Sequence, residues 1–131
     1  MSEVSFRPFT ARDLDSIEMQ DRHELVAKAV RIRPFTLLDA EDSLWSFTLW
    51  VDGKAKACVG ANDMGQLWAF LARDLRKWML PLTRYGKSMI DAHRAIVGPV
   101  WADIDPDHAE GVKWVRLAGF RQIEPSLWVY P

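Results

Sequence analysis

The sequence predicts an α/β domain in which a mixed β-sheet is flanked by helices. Two apolar stretches over 44–51 and 54–60 flank Asp52-Gly53, a pair typical of tight hairpins because both turn positions need positive φ. Farther along, a predicted strand over 97–103 leads into a run from Asp105 to Phe120 that has the start and stop signals of a short helix. Strands alternating with helices in this way indicate a sheet with helices packed on it.

Composition narrows the class of protein. The chain has 131 residues, of which 49% are apolar, and a formal net charge of -1 with acids and bases interspersed. This length suits one domain over residues 1–131, and the charge pattern favours neither nucleic acid nor a membrane surface. The single cysteine excludes an intramolecular disulfide, and no apolar run is long enough for a leader or a membrane span. A cytoplasmic location is expected.

The first half of the chain predicts a strand, two helices and a hairpin. Val4 to Arg7 reads as a strand, and Thr10 with Asp13 resembles a capping box that opens a helix. A second helix is expected over 22–31 from its apolar spacing. The alternating segment 44–51 then pairs through Asp52-Gly53 with a strand over 54–60.

The second half predicts the remaining strands and two helices. The apolar run over 66–72 indicates a central strand. Helical spacing over 75–96 is interrupted by Pro81, so we expect either a kink there or a helix that begins near it. Asp105 is expected to cap the last helix with Pro106 at its first position, and Gly119 to end it. With a hairpin over 120–130, the element order is β-α-α-β-β-β-α-β-α-β-β.

Several kinds of chemistry are disfavoured by the sequence. His23, His93 and His108 have no metal-ligand spacing, so no metal site is expected. Cys58 lies within a predicted strand, where a buried thiol is more common than a nucleophile. No P-loop, dinucleotide fingerprint or nucleophile elbow is present. The basic stretch over 73–87 is interleaved with apolar residues, which favours a phosphate-bearing small ligand or a protein partner over nucleic acid.

Four stretches carry a family resemblance: FRPFTARDLD, VDGKAKACVGANDMGQLWAF, RKWMLPLTRYGKSMIDAHRAI and VWADIDPDHAEGVKWVRLAGF. With the element order, they resemble the GCN5-related N-acetyltransferase superfamily across nearly the whole chain. More narrowly, they look like a small group of T7-like phage proteins described either as acyltransferase-like or as internal virion proteins.

The resemblance implies that acetyl-CoA or CoA lies where the sheet opens between the fourth and fifth strands, with its pyrophosphate at the start of the next helix. The implied cofactor-binding residues are Leu71, Ala72, Arg73, Arg76 and Lys77. The family's glycine-rich phosphate loop is missing, because no glycine lies between Gly65 and Gly86. Arg73, Arg76 and Lys77 would have to hold phosphate by side-chain charge, although such residues are also typical of a solvated helix face.

The catalytic groups implied by the resemblance are only partly present. Asp63, Asp103 and Asp105 are the candidate bases for an attacking amine, although Asp63 also suits a turn and Asp105 a helix cap. The family's acid is commonly a tyrosine four residues before the glycine of the last helix, and here that position is Val115.

Three functions remain open at this point. The first is a phage-encoded acetyltransferase-like protein with weak or lost catalysis that binds a host or virion protein, with acyl-CoA as an additional ligand. The second is an active acetyl-CoA-dependent N-acetyltransferase. The third is an internal structural component of the virion. Location would then be the cytoplasm of the infected cell or the particle, and the C-terminal hairpin offers a surface for a homodimer.

Overall fold

The computed structural model describes residues 3–17 and 43–131. The predicted α/β class and its helix-flanked mixed sheet are confirmed, whereas the helix expected over 22–31 lies outside the described residues. The elements are β1 (Val4–Arg7), α1 (Asp13–Ser16), β2 (Trp45–Val51), β3 (Lys54–Ala61), β4 (Leu67–Leu71), a 3-10 helix (Leu75–Trp78), α2 (Met79–Ile96), β5 (Val100–Asp103), α3 (Ala109–Leu117), β6 (Arg121–Gln122) and β7 (Leu127–Tyr130).

The strands form two antiparallel groups that touch at one point. One group has the order β1-β2-β3-β4, and the other has the order β5-β7-β6. A parallel bridge between Gln66 and Trp101 joins β4 to β5. The predicted hairpin between β2 and β3 is confirmed, with φ of 50° at Asp52 and 81° at Gly53. The two groups of strands therefore behave as one sheet that opens beyond a single bridge.

The core covers both faces of the first group of strands. On one face, side chains of β2 and β3 pack with α2 and α3 in a cluster that includes Phe47, Leu82 and Trp114. On the other face, Leu14 of α1 packs with Cys58 and other residues of β3 and β4. Cys58 is fully buried, and burial raises the pKa of its thiol to about 12, so the sequence-based interpretation of a core thiol is confirmed.

A buried carboxylate fixes α1 to the sheet. Asp13 accepts hydrogen bonds from the Thr10 backbone N–H at 2.9 Å and from the Thr48 hydroxyl at 2.6 Å. The first of these is half of the predicted capping box. Asp13 and Thr48 are both buried, so the hydroxyl supplies a hydrogen bond that water would otherwise give the carboxylate. The bond also holds α1 against β2.

Removal of the Thr48 hydroxyl tests this contact. Thr48→Val should lower the free energy of unfolding by about 1.5–3 kcal/mol, because a buried carboxylate loses a donor. Thr48→Ser keeps the hydroxyl and loses only a methyl group, so it should cost about 1 kcal/mol. Urea denaturation of the two variants measures the difference. Equal losses of stability in both variants would contradict a structural role for the hydrogen bond.

Helix α2 resolves the alternatives at Pro81. The helix begins at Met79, so Pro81 lies in its first turn, where a backbone N–H has no intrahelical acceptor to lose. The preceding residues 75–78 form the separate 3-10 turn. Of the two expectations, a helix that begins near Pro81 is the one observed.

The last turn of α2 contains a buried histidine. His93 is 3% exposed, and its Nδ1 accepts a hydrogen bond from the Trp45 indole N–H at 2.9 Å. The neutral ring then carries its proton on Nε2, which has no hydrogen-bond partner among the described residues. Burial lowers the pKa of His93 below its ordinary 6.5, because the charged ring would lose its hydration.

The folded protein should therefore lose stability as the pH falls. The unfolded chain protonates first, so the His93 contribution is complete above its ordinary pKa and is lost as the pH falls through the lowered value. His93→Asn keeps an acceptor for Trp45 and cannot titrate. Its free energy of unfolding, measured by urea denaturation between about pH 7.5 and 5.5, should fall less steeply, by up to about 1.4 kcal/mol per pH unit. Parallel pH dependences in the two proteins would contradict this.

The structure corrects two boundaries near β5. The strand begins at Val100, not at residue 97, because α2 continues to Ile96. Asp105 does not cap α3, and Pro106 is not its first residue, since the helix begins at Ala109 with His108 at the N-cap position. Asp105 instead closes a turn: its side chain accepts from the Asp107 N–H and its carbonyl from the His108 N–H, both at 2.9 Å. The predicted end is confirmed, with φ of 99° at Gly119.

Candidate functional site

A cleft opens between β4 and β5 beyond the bridge that joins them. At the closed end, the Trp101 N–H donates to the Gly65 carbonyl at 2.9 Å. Beyond it, the two strands diverge around a cavity of about 490 Å³. We call this cavity the β4–β5 cleft; it is lined by Gln66, Leu67, Trp68, Ala69, Phe70, Leu71, Ala102, Asp103, Ile104, Asp105, His108, Gly111 and Trp114.

The two walls of the cleft differ in chemistry. The β4 wall is mainly apolar, whereas the residues of the opposite wall include Asp103, Asp105 and His108. Trp114 of α3 also lines the cleft and is 2% exposed. Its indole N–H has no hydrogen-bond partner among residues 3–17 and 43–131. Buried donors without acceptors are uncommon in proteins, and within the described ranges the indole N–H of Trp128, which does not line the cleft, is in the same state.

The absence of a side chain at Gly111 leaves room for the imidazole of His108. A Cβ atom built on Gly111 would lie 2.6 Å from Nδ1 of His108 and 3.0 Å from its Cε1. Only glycine at position 111 therefore allows the imidazole to lie over the first turn of α3. Sequence reasoning considered His108 for metal binding alone; its place directly after the fifth strand was the signal that could have assigned it to the cleft.

The structure brings together some of the residues predicted from the sequence and leaves others outside. Leu71, Asp103 and Asp105 line the cleft. Asp63 lies exposed in the turn before β4, as its turn reading suggested. The other predicted residues are not among those that line the cleft: Ala72 is buried, and Arg73, Arg76 and Lys77 are exposed.

The segment expected to hold phosphate carries an acidic residue. Asp74 precedes the 3-10 helix, and its carboxylate pairs with the Lys56 ammonium at 2.8 Å. That hydrogen bond is the main cause that lowers the pKa of Asp74 below its ordinary value. A carboxylate here opposes an anionic ligand, although the Lys56 charge partly offsets it. Positive charge in this segment therefore comes from the exposed side chains of Arg73, Arg76 and Lys77 rather than from the backbone amides of a glycine-rich loop.

None of the residues lining the cleft is a tyrosine. Val115 is fully buried in the core. Tyr85 stacks on Phe6, with ring centroids 4.1 Å apart. The Tyr130 hydroxyl donates to Asp91, and burial together with this bond raises the pKa of Tyr130 to about 12.

Two further features are absent from the described part of the chain. Within residues 3–17 and 43–131, no three side chains of the types His, Cys, Asp and Glu are grouped as metal ligands. Over the same ranges, no helix has the length and apolar character needed to cross a membrane.

Comparisons with known proteins extend the description of the fold. No protein-family model matches the chain, and no curated protein sequence matches it. Among solved structures, the aminoglycoside acetyltransferase AAC(6')-Ib in complex with ribostamycin and coenzyme A is similar, with a TM-score of 0.58 and 15% identity over 98% of this chain and 91% of that one. Ard1 from Thermoplasma volcanium has a TM-score of 0.56 and 13% identity over 96% and 94% of the two chains.

These likenesses show the fold. The chain has the acyl-CoA N-acyltransferase fold of the GCN5-related N-acetyltransferases, as the sequence predicted, and its sheet opens between the fourth and fifth strands. At identities of 13–16%, the likeness extends to the arrangement of the backbone and not to the identity of site residues.

Proposed function

We propose that the chain is a single-domain acyltransferase-like protein that binds acyl-CoA in the β4–β5 cleft and transfers the acyl group to an amine at a low rate. The observation that carries this proposal is the cleft itself, which has an apolar wall on β4 and a polar wall on β5 and α3. The similar protein AAC(6')-Ib has been solved in complex with coenzyme A and in complex with acetyl-CoA.

The residues of the cleft suit the pantetheine arm of CoA, which carries the thiol, better than they suit its phosphates. Leu67 and Phe70 would contact the arm, and the indole N–H of Trp114 would donate to one of its carbonyl oxygens. When bound, acetyl-CoA supplies an activated thioester. At the outer end, Arg73 and Arg76 would contribute charge from exposed positions, where solvent weakens it.

Two features support a low rate of transfer. Val115, at the position where the superfamily commonly has an acid, carries no proton to donate and is buried in the core. Asp74 places a negative charge in the segment that would meet phosphate. The first feature weakens protonation of the leaving thiolate, and the second weakens phosphate binding. Neither blocks the cleft.

We also propose that the chain binds a protein, with the resemblance to phage proteins suggesting a host or virion partner in the infected cell. The end of α2 offers one apolar surface, since Ile96 is 82% exposed and Val97 is 50% exposed. The short edge strand β6 offers a second surface, suited to a homodimer. A role as an internal virion component would use the same surfaces.

Calorimetric titration with CoA tests the cleft. Trp114→Phe removes the indole N–H and keeps a ring, so the dissociation constant should rise about tenfold, as expected for one lost hydrogen bond. Trp128→Phe is the matched control, because Trp128 is also 2% exposed and its indole N–H also lacks a partner within the described ranges, yet it does not line the cleft. No heat of binding at millimolar CoA, or equal effects of the two substitutions, would contradict the proposal.

A second titration tests the acidic residue at the outer end. Asp74→Asn removes a negative charge and leaves the Lys56 ammonium unpaired, so CoA should bind roughly threefold more tightly at low salt. The gain should diminish at high salt, where exposed charges are screened. Asp91→Asn, which alters a carboxylate on α2 outside the cleft, should leave the affinity unchanged. Weaker binding by Asp74→Asn would show that the carboxylate helps the ligand.

A further inference from the structure

The polar wall of the cleft contains three ionisable side chains. Asp103 is the last residue of β5, Asp105 lies in the turn after it, and His108 lies at the N-cap position of α3. The other residues that line the cleft are uncharged. These three residues thus belong to one wall, opposite a β4 wall that contains no charged residue.

An amine that attacks a thioester must first lose a proton. Alkylamines are protonated at neutral pH, so two carboxylates on one wall attract the cationic form. A carboxylate is a weak base toward such an ammonium group, whereas imidazole ordinarily titrates close to neutral pH and both accepts and releases protons there. This difference in basicity suits the carboxylates to attraction of the cation and the imidazole to acceptance of its proton.

We propose that the acceptor is a cationic amine, that Asp103 and Asp105 attract it into the cleft, and that His108 accepts its proton. The proton moves from the ammonium group to the imidazole nitrogen, and the free amine forms a bond to the acyl carbon. The carbon–sulfur bond breaks and the thiolate leaves. The nitrogen, which is positively charged once it is bonded to the acyl carbon, loses its second proton to the thiolate, so the products are the amide and the free thiol of CoA. This inference rests on the proposed function and adds to it the proton acceptor and the class of acceptor substrate.

Gly111 is the positioning residue in this arrangement. Because a Cβ at position 111 would lie 2.6 Å from the imidazole Nδ1, Gly111→Ala must move His108 while leaving it in the protein. Alanine favours a helix more than glycine does, so the variant is expected to fold. The substitution therefore separates the position of the imidazole from its presence.

Ligand binding is tested first, without turnover. Proton NMR of the histidine ring signals, with that of His108 assigned by its loss in His108→Gln, is recorded as CoA is added. We expect the His108 signal to move and that of His93, buried beside Trp45, to stay. Gly111→Ala should change the His108 signal before CoA is added, because the new Cβ displaces the imidazole. CoA binding by calorimetry without movement of the His108 signal would overturn the inference alone, whereas absence of binding would overturn the proposed function.

Turnover is then tested with two amine probes and acetyl-CoA, by release of the thiol. Spermidine is cationic at about pH 7.5 and needs a base, whereas hydroxylamine is largely uncharged and does not. We expect His108→Gln to lower kcat with spermidine by about 100-fold or more and kcat with hydroxylamine much less, with KM for acetyl-CoA nearly unchanged. Gly111→Ala should lower the spermidine rate in the same selective way. Equal losses with both probes would overturn the inference alone, whereas no acylation of either probe by a wild type that binds CoA would overturn the transfer step of the proposed function and the inference with it.

Discussion

The cleft depends on a close contact between two backbones. Gly65 has φ of 85°, and a Cβ at this position would overlap with the carbonyl oxygen of Pro99. Any other residue would strain the turn and push β4 away from β5. Because Gly65 also accepts the hydrogen bond of the Trp101 N–H, the strands are held together at this end and separate beyond it. The position of the cleft thus follows from one glycine.

The two walls that diverge from this contact have different origins. The β4 wall belongs to the main sheet, whose apolar side chains continue into the core around Leu71. The opposite wall is built by the end of β5, the turn at Asp105 and the first turn of α3, so polar groups collect where backbone leaves regular structure. This asymmetry allows an apolar arm to lie against one wall while ionisable groups approach it from the other.

Local signals explain most of what the sequence predicted correctly. Asp52-Gly53 and Gly119 each suit a backbone with positive φ, so the hairpin and the end of α3 could be read directly, whereas Pro81 left both a kink and a helix start open. Asp105 misled the prediction because an aspartate before proline suits a helix cap and a turn equally well. The place of His108 in the cleft could not be read locally, since it depends on the absence of a side chain at Gly111 and on the separation of β4 from β5.

Hydrogen–deuterium exchange with and without CoA tests the central claim that the diverging strands form the ligand site. With CoA bound, we expect slower exchange at amides of both walls, within 66–71 and within 102–114. The β2–β3 hairpin around Asp52 serves as the internal control and should change little. Protection on both walls at once would place the ligand between β4 and β5. Protection of neither wall under saturating CoA, or protection confined to the far surface of α2, would contradict the account.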